Sequence, residues 1–358
     1  MSTYKGSPVV IDNGTSTIKA GFAGDNFPPL VFPSIVGKSG LVGSQAFKRR
    51  FQFNLTHPIK NGIISDWNSM EKIWDHVFTE LNANSKDHPV FLTESPLNPK
   101  ENRGRMTQIM FETFNTQAMY IAMQPVMSLF ASGRTTGLVV DSGHGTTHTV
   151  PVYDGYAIPS AICRLELSGG GLTEYLQRLL MEGGYYLTSS GERQAVQNLK
   201  EKLCYVARNF ANEMKATAIT PPLFYELPDG QVITIGNERF RCSEALFNPT
   251  LVIPANTGIP KMVTDSILKC DGSIREDLRQ NIVLSGGTTC LPGFTDRLGL
   301  ELKTIAPKGQ KTEITKSRLH SSWMGARMLA SSSSFDHSWI LKEEYDDFGT
   351  SVVHRKCF

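Results

Sequence analysis

The chain has 358 residues, 40% of them hydrophobic and 20% charged, with a formal net charge of +2. That length suffices for two domains with a sizeable core, and the composition is that of a globular protein. So small a charge argues against non-specific nucleic-acid binding as the main activity, and no apolar run reaches transmembrane length.

Ser7–Gly24 reads as a hairpin. Phe27–Val36 is Pro-rich and apolar, an edge strand and turn, and Gly37–Phe47 a short Gly/Ser loop. Phe51–Leu55 alternates weakly, as a strand does. Asp66–Leu81 carries Trp67, Met70, Ile73, Trp74, Val77, Phe78 and Leu81 at helical spacing, with Asp66 or Ser65 as N-cap. Val90–Leu92 is a buried strand, Pro99–Phe114 a helix, Ala118–Ile121 a strand and Gln124–Ser132 a short helix. Leu138–Gly155 is a second hairpin and Tyr156–Arg164 a strand pair. Ser168-Gly169-Gly170-Gly171 opens a helix over Leu172–Met181, and Gly191–Phe210 is a longer one. Gln231–Ile235 and Glu238–Arg241 read as a hairpin around Gly236-Asn237. Val263–Cys270 and Ile274–Arg279 are helical, Ile282–Ser285 is a strand, and Leu291–Leu302 is a helix. Thr312–Thr315 is a strand and Ser322–Ala330 a helix. Strands and helices alternate throughout, which is α/β class.

Chemistry concentrates in the two hairpins. Leu138-Val139-Val140-Asp141 is an apolar run ending on an acid, followed by the turn Ser142-Gly143-His144-Gly145 and a returning strand from Thr146. Amides in such a turn can face an anion, and the acid can hold a hydrated metal ion beside it. Alone, it reads equally as an ordinary hairpin with an acidic cap. But Val9-Val10-Ile11-Asp12-Asn13-Gly14-Thr15-Ser16-Thr17-Ile18-Lys19 repeats the design. Asp12 answers Asp141, Gly14 answers Gly143 and Thr17 answers Thr146. A third glycine turn, Ser285-Gly286-Gly287-Thr288-Thr289, follows another apolar strand. Two such hairpins point to a duplicated fold whose halves each offer a phosphate loop to one cleft. Neither GxxxxGK[ST] nor GxGxxG stands in these places. The six cysteines are scattered, without CxxC or metal-ligand spacing, and fit free thiols in a reducing compartment. The polar opening Met1–Ser7 does not read as a secretory leader. The expected location is the cytosol, with the nucleus a second compartment left open.

The runs AGFAGD (Ala20–Asp25), VFPSIVG (Val31–Gly37), MTQIMFETFNT (Met106–Thr116), LFASGRTTG (Leu129–Gly137), KEKLCYVA (Lys200–Ala207), YELPDGQVITIGNERFRC (Tyr225–Cys242), VLSGGTT (Val283–Thr289) and SVVHRKCF (Ser351–Phe358) resemble actin segments closely. The chain resembles the actin family over nearly its whole length. The resemblance implies the duplicated actin-like ATPase fold, two α/β domains around a nucleotide cleft. The first would span 1–131 and 321–358, with a small subdomain near 34–56. The second would span 132–320, with a small subdomain near 168–254. It implies ATP or ADP with Mg²⁺ or Ca²⁺ in the cleft. Asp12 and Asp141 match the acids that hold the metal through water. Gly14, Thr15, Ser16, Thr17 and Lys19, with Gly143, His144, Gly145, Thr146 and Thr147, match the phosphate loops. Gln124 and His148 match the groups that position the attacking water, with Asp141 beside them. Gly169, Lys200, Glu201, Gly286, Gly287, Thr288, Cys290 and Leu291 match the surround of the ribose, base and α-phosphate.

The sequence also departs from the family pattern. His144 stands where the family has an acid, Ser16 where it has a turn glycine, and Gly170-Gly171 where it has a charged pair. Gln197 replaces an arginine, Cys290 and Leu291 a methionine and tyrosine at the base, and Leu319 a lysine. Gly37–Ala46 is far shorter than the family's filament-contact loop. A free imidazole titrates near about 6.5, so His144 is expected to make metal binding pH-sensitive around that value. The resemblance implies an actin-like ATP-binding cytoskeletal protein with weak ATPase. Its partners would be itself or conventional actin, through a weakened longitudinal contact, and actin-binding proteins, with no nucleic acid and no membrane span. The other readings are a non-polymerising actin-related adaptor with little hydrolysis and, less well supported, a small-molecule kinase of the same fold.

Overall fold

A computed structural model describes residues 6–357 except 39, 51–53, 217–220, 229, 255–256, 306–310 and 317–318. Two large mixed sheets organise it. In the first, strands run in the order Ile340–Leu341, Ala118–Met123, Val90–Glu94, Val9–Asn13, Thr17–Phe22, Leu30–Pro33. In the second the order is Tyr156–Ala157, Thr147–Tyr153, Gly137–Ser142, Ile282–Ser285, Ile314–Thr315, and Cys163–Leu165 also pairs with Thr147–Tyr153. The expected pair Tyr156–Arg164 is thus two strands that share one partner and do not pair with each other.

The duplication is explicit in the ladders. Val9–Asn13 pairs antiparallel with its hairpin partner and parallel with Val90–Glu94. Gly137–Ser142 pairs antiparallel with its own partner and parallel with Ile282–Ser285. All of Val9, Val10, Ile11, Leu138, Val139 and Val140 are buried, as befits central strands covered on both faces. The first half's core gathers the Trp67–Glu80 helix, whose Met70, Ile73, Trp74 and Val77 face inward, and the carboxy-terminal segment. Asp66 is that helix's N-cap, its carboxylate accepting from Ser69 N at 3.1 Å.

The halves are joined where two helices cross, Gln124–Ala131 and Ser321–Ala330. They approach so closely that a Cβ on Gly325 would lie 1.8 Å from the Met127 carbonyl oxygen. Beside the crossing, the hydroxyls of Ser128, Ser285 and Ser321 bond to one another at 2.8–3.3 Å.

Three expectations are corrected, and a fourth, the strand at Phe51–Leu55, falls mostly outside the described residues. Gly37–Phe47 is not all loop: Val42 bridges Val36 and is buried, and Gly43–Lys48 is helical. Of the strand expected at Phe51–Leu55, residues 51–53 lie outside the described set, and Leu55–Thr56 pairs with Val36–Gly37. The helix expected to reach Phe210 stops at Leu203, because Val206 N is taken by Pro292 O at 2.8 Å and buries its side chain there. A separate helix follows at Phe210–Ala216. The hairpin around Gly236-Asn237 does not form. Val232–Ile235 pairs with Leu223–Glu226, and Glu238–Glu244 is a helix. Its first-turn Glu238 accepts from Gly236 N at 2.7 Å, where the helix dipole favours an acid. Lesser shifts occur elsewhere; Pro99–Phe114 becomes a helix to Gln108 and a π turn to Thr113.

Candidate functional site

Both acids sit one residue before the end of matched central strands, Val9–Asn13 and Gly137–Ser142. Each is fixed by a hydroxyl from the strand running parallel beside it. Thr93 donates to Asp12 Oδ1 at 2.6 Å, and the Ser285 hydroxyl bonds to the Asp141 carboxylate. Asp12 is buried and further holds Lys19 Nζ at 2.9 Å, Gln124 Nε2 at 2.9 Å and Ser322 Oγ at 3.2 Å. Burial alone would push its carboxyl up; the Lys19 ammonium and these hydrogen bonds outweigh it, and the carboxyl lies below its ordinary range. Among the described residues Asp141 has no such cation bound to it. Desolvation pushes its carboxyl up to about 6, the Ser285 hydroxyl opposing and the Asp12 charge adding. Two enclosed carboxylates sharing one ammonium leave negative charge uncompensated, which suits a cation.

The turns of the two hairpins meet. A Cβ on Gly145 would lie 2.8 Å from Thr15 Oγ1 and 2.9 Å from Asn61 Cα, so only glycine permits this approach. Thr15 Oγ1 in turn accepts from Gly62 N at 3.0 Å. The Gly143 carbonyl accepts from Gly169 N at 3.0 Å and Thr288 Oγ1 at 2.6 Å, tying the second hairpin to a helix start and to the third glycine turn. The Cβ position of Gly143 is open. Gly286 has φ of 82° and packs on Ser142 O, while Gly287 is exposed. Gly14, Ser16 and Thr17 complete the first turn, half-buried. Thr146 is buried, and the Thr147 hydroxyl turns to the core, donating to Leu167 O at 2.7 Å.

Gln124 Nε2 also bonds to Asn13 O at 3.1 Å, so the glutamine is held over the first turn. His148, cross-strand from Asp141, is buried, and its Nε2 has no hydrogen-bond partner among the described residues. Burial, and then Arg164, push its imidazole down to about 4.

His144 is enclosed as well. Burial, and then the charges of Lys200, Arg193 and His57, push it down to about 4. The expected titration near 6.5 is thereby corrected: the ring stays neutral across pH 6–8. Its Nε2 would lie 3.0 Å from a Cβ on Gly170, so the imidazole uses the space a side chain there would need.

The remaining matched positions are less central. Lys200 is buried and donates to Gly169 O at 2.5 Å and Thr173 Oγ1 at 2.9 Å, which fixes the helix start. Glu201 is exposed and accepts from Gln197 at 2.9 Å. Cys290 and Leu319 are exposed, and Leu291 packs half-buried on the second half's core.

Sequence reasoning missed several site residues. Thr93 ends an apolar strand, a signal of the kind that singled out Asp12. Asn13 accepts from Trp74 Nε1 at 3.1 Å and donates to Thr93 O at 3.0 Å, locking the first turn. His320 faces the Asp12–Lys19 pair from the start of the Ser321 helix, with φ of 63°. Ser322 reaches Asp12 from the same helix. Nothing local marks either, since both arrive from about 310 positions away along the chain.

Two glycine-turn hairpins on duplicated mixed sheets, with an acid at the end of each leading strand, define the actin-like class of ATPase fold. A family model for actin matches residues 4–358. The chain belongs to the actin family, whose members bind an adenine nucleotide with a divalent cation. No helix among the described residues is long and apolar enough to cross a membrane.

Proposed function

We propose that this cleft binds Mg-ATP and hydrolyses it slowly, in a cytoskeletal protein that assembles poorly by itself. The observation that carries the reading is the matched pair Asp12 and Asp141, each held by a hydroxyl of its parallel neighbour strand. Residues 1–131 with 321–358 form one domain and 132–320 the other. A bound Mg²⁺ or Ca²⁺ would supply positive charge that offsets that of the phosphates. Asp12 and Asp141 hold it through water. Lys19 and the turns at Gly14–Thr17, Gly143–Thr147 and Gly286–Thr288 take the phosphates. Gln124 and the unpartnered His148 Nε2 orient the attacking water, which is positioning rather than covalent chemistry. The neutral His144 brings no carboxylate to the metal's water shell, so hydrolysis is slow. Gly169, Lys200, Glu201, Cys290 and Leu291 line the ribose and base. With no aromatic ring at Leu291 and no cation at Leu319, base affinity is lower by about 1–2 kcal/mol, and exchange is fast.

Asp12→Ala combined with Asp141→Ala should abolish binding of a fluorescent ATP analogue while circular dichroism is kept. Undiminished binding by the folded double variant would overturn the site.

A second reading, an adaptor that does not polymerise, is favoured by one observation. Val42, one of two apolar residues in the short segment that could reach a neighbouring subunit, is buried in this subunit's own core. Either form works in the cytoplasm or nucleus, with conventional actin or actin-binding proteins as partners.

A further inference from the structure

Of the six cysteines only Cys290 belongs to the proposed nucleotide surround, and four others, Cys204, Cys242, Cys270 and Cys357, are buried. The other two differ in a telling way. Cys290 is exposed and has no cation within hydrogen-bonding distance of its sulfur among the described residues. Cys163 is half-buried at the start of the Cys163–Leu165 strand and opens on a cavity of about 550 Å³ in the second half, whose lining includes none of the glycine-turn residues. That is room enough for a peptide-sized ligand. Lys269, Arg164 and Asp265 bring charge to the cavity wall. Asp265 is engaged by Lys261 at 2.5 Å and Arg164 by Glu166 at 2.7 Å. Lys269 has no carboxylate partner among the described residues; its ammonium donates to Cys163 Sγ at 3.4 Å. The cavity therefore sets the half-buried Cys163 sulfur beside an ammonium that has no ion-pair partner among the described residues.

We propose that Cys163 is a thiol-modification site, and that its co-substrate is a small disulfide carrying carboxylates. Lys269 steers the carboxylate and holds it at the cavity wall, with the reagent's sulfurs against Cys163. Cys163 gives its proton to solvent, and its sulfur attacks one sulfur of the disulfide. A Cys163–S bond forms, the reagent's S–S bond breaks, and the departing thiolate takes up a proton. Cys163 is oxidised and the released thiol reduced, so no other oxidant is needed.

The test treats the full chain with glutathione disulfide, which is anionic, and in parallel with bis(2-hydroxyethyl) disulfide, which is neutral. Peptide mass spectrometry gives the rate at each cysteine. The anionic reagent should modify Cys163 about tenfold faster than Cys290, a preference that falls with added salt and largely disappears with the neutral reagent. Lys269→Gln, on an exposed helix position, should slow the anionic reaction at Cys163 several-fold and leave the neutral one within about twofold. Cys163→Ser should remove the adduct. Modification of Cys290 ahead of Cys163 by the anionic reagent, or an unchanged rate in Lys269→Gln, would overturn the proposal.

Discussion

At position 144 an imidazole stands in the turn after Asp141, and it decides what position 170 can be. Glycine inside a helix ordinarily costs about 1 kcal/mol relative to alanine. Gly170→Ala should nevertheless fail to stabilise the protein, because its methyl would sit 3.0 Å from both the ring and the His144 carbonyl oxygen. In a His144→Ala background the ring's share of that crowding is relieved while the carbonyl's stays, so the same change should recover only part of that stability. A double-mutant cycle by urea denaturation should show coupling of at least about 0.5 kcal/mol; additivity would mean the two positions are independent. The ring also has a pH signature. Its folded value, about 4, lies below the ordinary one. The neutral form is thus favoured on folding. That contribution is complete above about 6.5 and is lost as pH falls from there toward 4, on the order of 3 kcal/mol in all. His144→Gln should flatten the stability profile across pH 6.5 to 4 while leaving pH 7 to 8 unchanged. A profile as steep as wild type would assign the loss to other groups.

Among elements, the crossing of the Gln124 and Ser321 helices is the least forgiving. At 1.8 Å from a main-chain carbonyl, a methyl on Gly325 cannot be absorbed by a rotamer change. Gly325→Ala should push the helices apart and cost about 3 kcal/mol, read from the urea midpoint. It should weaken nucleotide binding too, since Ser322 on the displaced helix bonds Asp12 at 3.2 Å. A wild-type midpoint would show that the helices part without penalty. The same scale shows what could be read beforehand. The hairpins were legible because an acid, a glycine turn and β-branched returns lie within a dozen residues. The Gly236-Asn237 turn misled because the same pair that closes a hairpin can also start a helix, and Glu238 decides the matter by capping back. The stop at Leu203 was not legible. It depends on Pro292, whose arrival is a tertiary event.

For the whole molecule, the ladders establish two copies of one plan, but sequence could not say how they are joined. The short segment after Val36 bears on assembly. Gly37 N bonds Leu41 O at 2.8 Å, and the chain then turns into the Gly43–Lys48 helix. Little is left to project. At roughly 25 cal/mol per Å², one half-buried leucine supplies at most a few kcal/mol to a contact with a neighbour, before ordering costs. The purified protein should therefore stay in the supernatant when centrifuged with Mg-ATP at concentrations where conventional actin pellets. A family-length loop inserted after Gly40, outside the helix, should restore pelleting. Pelleting of the unmodified protein would refute the assembly claim.

The last stretch of chain belongs to the first half. Trp323 Nε1 donates to Val10 O at 3.1 Å, Ile340 pairs with Met119, and Trp339, Val353 and Cys357 are buried. During synthesis, which runs from the amino terminus, this has a cost in time. The strands Val9–Asn13 and Ala118–Met123 leave the ribosome early, yet the residues that seal their sheet are made only after the whole second half. The second half is continuous in sequence and can close while translation goes on. On stalled ribosome complexes, proteolysis should thus find residues 137–305 protected before residues 9–123, which wait, apolar and unsealed, until Trp323, Trp339 and Val353 have been made.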